Sequence, residues 1–288
     1  MLEKSYRTTV SGTLGGLMQR QEKWNLKDGV AELDWPSFRL RIDASTPELG
    51  GQVVFSKATA DFGADQPSGS SHSNTNAVLF QVGESADQAN EDASHLVETY
   101  CRGGDLISRY GADSADSISR EIYWRLMTEA DELSDRVASV EMIYSLQTDL
   151  LESAPQPSVP SVFSNASNRW FQSHEGADDD SDVQWNDCSW EDACFAAGEG
   201  EGRVACLIGF PNGNTLLQTV YPPDLRGVEI NSVEQRIEIH WQLRSDFLEK
   251  GVIRRLRLLT VIGGEGSSEK DLLDAASCFY RSDLPLTV

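Results

Sequence analysis

Ile237, Ile239, Trp241 and Leu243 alternate with Glu238, His240 and Gln242. A period of two predicts a half-buried strand with its indole turned inward. Nearly the same word stands earlier in the chain. EIYWRL at 121–126 differs from EIHWQL at 238–243 only at Tyr123/His240 and Arg125/Gln242. A second alternating run follows each word, SVEMIYSLQT (139–148) and RLRLLTVIGG (255–264). In the first, Val140, Met142, Tyr144 and Leu146 share a face; in the second, Leu256, Leu258, Thr260 and Ile262 do.

The likeness extends outward. LVETYCRGGDL (96–106) resembles LLQTVYPPDL (216–225), VLFQV (78–82) resembles ACLIG (205–209), and DLLES (149–153) resembles DLLDA (271–275). Segments that match in the same order at a similar offset predict an internal duplication. Residues 118–150 also carry a stripe at helical spacing, but the clean alternation of the second word decides for strands. FPNGNT (210–215) places Asn-Gly between two apolar runs, a hairpin signal. Ser268 with Asp271 resembles a capping box, and Leu272, Ala276 and Phe279 fall on one helical face, so a short helix is predicted there.

Further strands are predicted in TTVSGTLGG (8–16), GVAELDW (29–35), FRLRID (38–43) and QVVFSKA (52–58), with a Ser/Asn-rich loop at 67–76. APQPSVPS (154–161) holds three prolines and reads as an extended linker. The expected organisation is therefore a first β-rich unit at 1–153 with an N-terminal extension, the linker, and a second unit at 162–288 ending in a helix. The fold class is mainly β: two tandem homologous antiparallel units, each a sandwich, barrel or curved sheet, with a few short helices.

Charge narrows the partners. The formal net charge is −22, and ten acidic residues lie between Arg169 and Arg203 without an intervening Lys or Arg. Such a surface repels nucleic acid and anionic membranes, so neither is an expected partner. A basic protein or a second copy of the chain suits it better. No window reaches the roughly 18 apolar residues that span a bilayer, and the start, MLEKSYRTTV, has no apolar targeting core. The cytoplasm is the expected location. Five cysteines, an odd number without CxxC spacing, fit reduced thiols.

Candidate chemistry is sparse. GxSxG, HExxH, GxGxxG, Walker A and EF-hand patterns do not occur. Asp178, Asp179, Asp180, Asp182 and Asp187 offer oxygen ligands, a weak Ca²⁺ candidate whose spacing departs from the EF-hand loop. Otherwise no cofactor is expected. Cys188, Cys194 and His174 fit no zinc module. Trp170, Trp185 and Trp190 lie close together in sequence and could stack on sugars or sit in the core. KGVIRRLR (250–257) is the basic cluster: Arg254, Arg255 and Arg257 either contact an anion or partner, or pair with the acidic surplus. These features favour a non-catalytic binding or scaffold module. The alternative is a carboxylate-based or metal-assisted enzyme acting on a small molecule or carbohydrate.

Overall fold

The structure, a computed structural model, describes residues 24–56, 76–82, 95–111, 118–127, 137–173, 186–187, 193–196, 202–233 and 236–283. The first strands are β1 (Asn25–Lys27), β2 (Val30–Asp34), β3 (Phe38–Asp43), β4 (Gly51–Phe55) and β5 (Ala77–Leu79). A meander follows: β6 (His95–Arg102), β7 (Asp105–Gly111), β8 (Ile118–Met127) and β9 (Val137–Thr148). Then come β10 (Glu152–Ser153), β11 (Ser158–Ser164), β12 (Ser167–Ser173), β13 (Asn186–Asp187), β14 (Ala193–Ala196), β15 (Arg203–Gly209) and β16 (Thr215–Val220). The last are β17 (Leu225–Val233), β18 (Arg236–Leu243), β19 (Leu248–Glu249), β20 (Ile253–Gly263) and the helix α1 (Glu269–Arg281).

The strands form two antiparallel nine-stranded sheets and a small β10–β19 ribbon. The first sheet runs β1-β2-β3-β4-β5-β11-β18-β17-β14 and the second β13-β12-β15-β16-β20-β9-β8-β7-β6. Their apolar faces share one core that contains Leu40, Val53, Trp124, Met142, Ile239, Trp241 and Leu258. The mainly β fold class thus holds. The described chain has one α-helix, and the two sheets stack face to face.

The repeated word finds a structural counterpart. Read in the orders above, β18 holds the seventh place of the first sheet and β8 the seventh place of the second. Their hairpin partners β17 and β7 hold the eighth. Trp241 and Trp124 therefore occupy corresponding positions in opposite sheets, both buried. The run after each word behaves differently. β9 follows β8 within one sheet, whereas β20 lies across the sandwich from β18 and pairs with β9 itself. The place beside β18 that matches β9 is taken by β11. DLLES (149–153) passes through a bend into β10, while DLLDA lies in α1.

The Pro-rich stretch splits at Ser158. Residues 154–157 lie outside regular structure, and 158–161 belong to β11, inside the first sheet. Proline lacks the N–H that a ladder uses, and Pro160 lies beyond the short β5–β11 register. β11 pairs with β5 only at Val162 and Phe163. Beyond that, the Pro160 carbonyl accepts from Gln81 N at 2.8 Å. β5 ends because Phe80 turns left-handed at φ 49°. That conformation is unfavourable for a bulky residue. It is held by full burial of the ring and by donation from Phe80 N to Ser161 Oγ at 2.9 Å.

A polar knot crosses the core. Trp241 Nε1 donates to Gln218 Oε1 at 3.2 Å, and Gln218 Nε2 donates to Ser161 Oγ at 3.1 Å and Thr260 Oγ1 at 3.2 Å. Ser161 and Trp241 lie in the first sheet, Gln218 and Thr260 in the second. Buried polar groups are tolerated when each finds a partner, and here the partners also fix how the two sheets slide on one another. α1 starts at the expected capping box: Ser268 Oγ accepts from Asp271 N, and Asp271 Oδ2 accepts from Ser268 N. Its apolar face, Leu272, Ala275, Ala276 and Phe279, packs on the outer side of the second sheet against Ala205, Leu207, Leu217, Leu259 and Val261.

Candidate binding face on the first sheet

Alternation along β2, β3 and β4 sends Leu33, Leu40, Ile42 and Val53 into the core and Glu32, Asp34, Arg39, Arg41, Gln52 and Val54 outward. Register aligns the outward residues in rows. Glu32 stands opposite Arg41, and Arg41 opposite Gln52. In the next row Asp34 stands opposite Arg39, and Arg39 opposite Val54. With strands about 4.8 Å apart, each row crosses about 10 Å of sheet. A cavity of about 460 Å³ lies over these rows and reaches the aromatic end formed by Trp35, Phe38 and Phe55.

The aromatic end is shaped by a tight turn at Pro36–Ser37. Trp35 N donates to the Phe38 carbonyl at 2.9 Å, and Phe38 N returns the bond to Trp35 O at 3.3 Å. The Trp35 ring, half-buried, stacks on Phe38 with centroids 6.2 Å apart and planes inclined by 20°. Its Nε1 is a buried donor without a hydrogen-bond acceptor.

The charges in this cavity are used unequally. Arg39 Nε donates to Asp34 Oδ1 at 2.6 Å, an exposed pair that raises the Arg39 pKa first through that hydrogen bond. Exposed pairs of this kind contribute little to stability. Glu32, Arg41 and Gln52 make no side-chain hydrogen bond or ion pair among the described residues. The lining thus presents donors, acceptors and an aromatic surface, with two carboxylates and two guanidiniums that cancel in formal charge.

The basic cluster of the sequence has a different fate. Arg257 is wholly buried. Its Nε donates to Glu141 Oε1 at 2.6 Å, and Nη1 and Nη2 donate to Ser282 O and Ser282 Oγ. The guanidinium also lies 4.7 Å from the Phe279 ring centroid and 5.1 Å from that of Tyr221. It therefore anchors the C-terminal end of α1 instead of meeting a partner. Arg254 points to the other side of β20 and donates to Asp224 Oδ1 at 2.9 Å. Arg255 is half-buried on the Arg257 face and also interacts within the fold. The three arginines do not form one exposed cluster. The reason is the strand period itself, which sends Arg254 one way and its odd-numbered neighbours the other.

Among the described carboxyls, Asp224 is the one pushed upward, from 3.8 to about 6. Burial is the largest cause, opposed by Arg254 and by the hydrogen bond from Arg257 N. Asp224 closes the turn into β17 and does not line the cavity. His240 faces outward, half-buried, with Nε2 3.6 Å from Glu238 Oε2 and with Glu229 directly across the ladder. Asp178, Asp179, Asp180 and Asp182 lie outside the described residues, as do Asp187's side chain, His174, Cys188, Trp185 and Trp190. Trp170 is placed in β12 by its backbone pairing with Cys206. No group of three or more His, Cys, Asp or Glu among the described residues is arranged to hold a metal ion. No helix among them is long and apolar enough to cross a membrane.

The strands of the cavity are legible in the amino-acid pattern, whereas the cavity is not. A signal was available: VAELD and FRLRID put two acids and two arginines on the outward face of adjacent strands.

No protein-family model and no curated protein matches the chain. Solved structures resemble it at the level of distant folds. One is a variant of the GH36 α-galactosidase AgaA from Geobacillus stearothermophilus in complex with 1-deoxygalactonojirimycin: 7% identity, TM-score 0.46, covering 82% of this chain and 41% of that one. Another is a putative kojibiose phosphorylase from human microbiome: 10% identity, TM-score 0.36, covering 91% and 36%. The chain spans about two fifths of the length of these structures.

Proposed function

We propose that the chain is a non-catalytic binding module built from two related β-rich halves, with its ligand site on the outer face of the first sheet over β2–β4. The observation that carries this reading is that Glu32, Arg41 and Gln52, in a cavity of about 460 Å³, make no side-chain hydrogen bond or ion pair among the described residues. By contrast Arg257 closes on Glu141, and Arg125 on Asp105 through two hydrogen bonds of 2.8 and 3.0 Å. Polar side chains left without internal bonds, beside a half-buried aromatic, are ready to bind a ligand.

The carboxylate-enzyme alternative calls for acids in a cleft with raised pKa values. The raised carboxyl, Asp224, has a structural place in a turn instead. A direct test incubates the protein with panels of oligosaccharides, peptides and nucleotides. Amide hydrogen exchange across 30–56 is then followed, together with the chemical identity of each compound afterwards. The expected result is protection of β2–β4 by a compound recovered unchanged. Protection only elsewhere removes the site, and conversion of the compound removes the non-catalytic reading.

A further inference from the structure

We infer that the ligand taken by this cavity is a neutral oligosaccharide, an inference that rests on the binding-module reading above. Three features select it. First, the lining is balanced: Glu32 and Asp34 offset Arg39 and Arg41. A cationic ligand meets two guanidiniums there and an anionic one meets two carboxylates, so neither gains a net attraction from the site. The chain's charge of −22 adds a further penalty for any polyanion.

Second, the unused groups are mixed. The Arg41 guanidinium only donates, the Glu32 carboxylate only accepts, and the Gln52 amide does both. They stand side by side in one cross-strand row. A sugar hydroxyl both donates and accepts, and adjacent hydroxyls on one ring can bridge a guanidinium and a carboxylate together. An apolar ligand would bury these groups unsatisfied, at a cost.

Third, beyond the neighbouring Asp34–Arg39–Val54 row the lining turns apolar. The indole of Trp35 has one face on Phe38 and remains partly exposed, with Val54 and Phe55 beside it in the lining. The axial C–H face of a pyranose packs on such a ring. The cavity opens along a sheet face, which suits a short chain of sugar units rather than one enclosed molecule.

The experiment is isothermal titration of the full chain with malto-, cello- and xylo-oligosaccharides. An acidic oligogalacturonate and a cationic chitosan oligomer serve as the comparison set. At least one neutral series should bind, and Arg41→Ala and Glu32→Gln should each weaken it by about tenfold. Trp35→Ala should weaken it at least as much. Because that variant removes core contacts, the other two, both on the outer face, keep the test decisive. Binding of the acidic or cationic set alone overturns the neutral ligand and leaves the module intact. Neutral binding that Arg41→Ala and Glu32→Gln leave unchanged overturns the site. No binding at millimolar concentration in any neutral series overturns the inference. A neutral sugar that binds as expected but is converted overturns the non-catalytic reading and keeps the ligand class.

Discussion

The third and fourth strands of the two sheets make an instructive pair. In the second sheet these places belong to β15 and β16, whose outward Ala205, Leu207 and Leu217 are apolar and covered by α1. In the first sheet they belong to β3 and β4, whose outward Arg39, Arg41, Gln52 and Val54 are mostly polar and border an open cavity. Corresponding surfaces have thus been given opposite roles. One is closed by the chain's own helix, and its buried charges are matched: Arg257 holds Glu141, Ser282 and two aromatic rings. The other leaves Glu32, Arg41 and Gln52 without a side-chain hydrogen bond or ion pair among the described residues. The difference separates charge that holds the fold together from charge held ready for something else.

The largest expected contrast comes from Glu141→Leu. It leaves Arg257 buried without its counter-ion, and loss of one partner of a buried pair costs about 3–5 kcal/mol, read as a drop in urea midpoint. An unchanged midpoint would mean that the pair is not what holds α1. Next in size is Gln218→Leu. It strands Trp241 Nε1 and removes the link between the sheets, at about 1–3 kcal/mol by the same measurement. Trp124, in the matching place, makes its described contacts with Phe80 and the surroundings of Gly51. Trp124→Phe should therefore lower the urea midpoint less than Trp241→Phe, which also removes the hydrogen bond to Gln218.

Asp224 adds a pH signature. Its folded pKa, about 6, lies above its ordinary 3.8, so the folded state holds the proton more tightly. The group's contribution is fully present below about 3.8, declines as pH rises toward about 6, and is absent above. Asp224→Asn should flatten that decline in denaturation midpoints measured across the interval. A parallel slope in both proteins would exclude Asp224 as its source. Ser268→Ala removes the capping bond at the start of α1 and should cost about 1 kcal/mol. The smallest effect belongs to the cavity. Arg41→Ala and Glu32→Gln should each change stability by less than about 0.5 kcal/mol, while weakening ligand binding. A large loss of stability from either would move them to the group that holds the fold together.

Much of this architecture was legible in the residues because period-two alternation reports burial directly. IEIHWQL, FRLRID and SVEMIYSLQT all lie in strands with the expected inward faces. FPNGNT is a hairpin turn with Gly213 at φ 81°, and Ser268 caps α1. Alternation cannot say which strand will be a neighbour. It therefore did not reveal that β20 would join β9, or that β11 would carry Pro160 into a sheet. Of the two fates open to the arginine run, pairing with the acidic surplus is the one Arg254 and Arg257 meet, and their opposite faces assign them to Asp224 and Glu141. The cavity escaped because it depends on register between strands, which decides that Arg41 stands between Glu32 and Gln52.

The seams where β5 meets β11 and β9 meets β20 have a consequence for how the protein is made. A nascent chain that has emerged only as far as β9 already has strands for both layers, but two raw flanks wait for partners still to be synthesised. Such flanks invite pairing with other chains. The twelve-residue β9 is the more dangerous of the two, because its partner β20 lies farthest along the chain among the described strands.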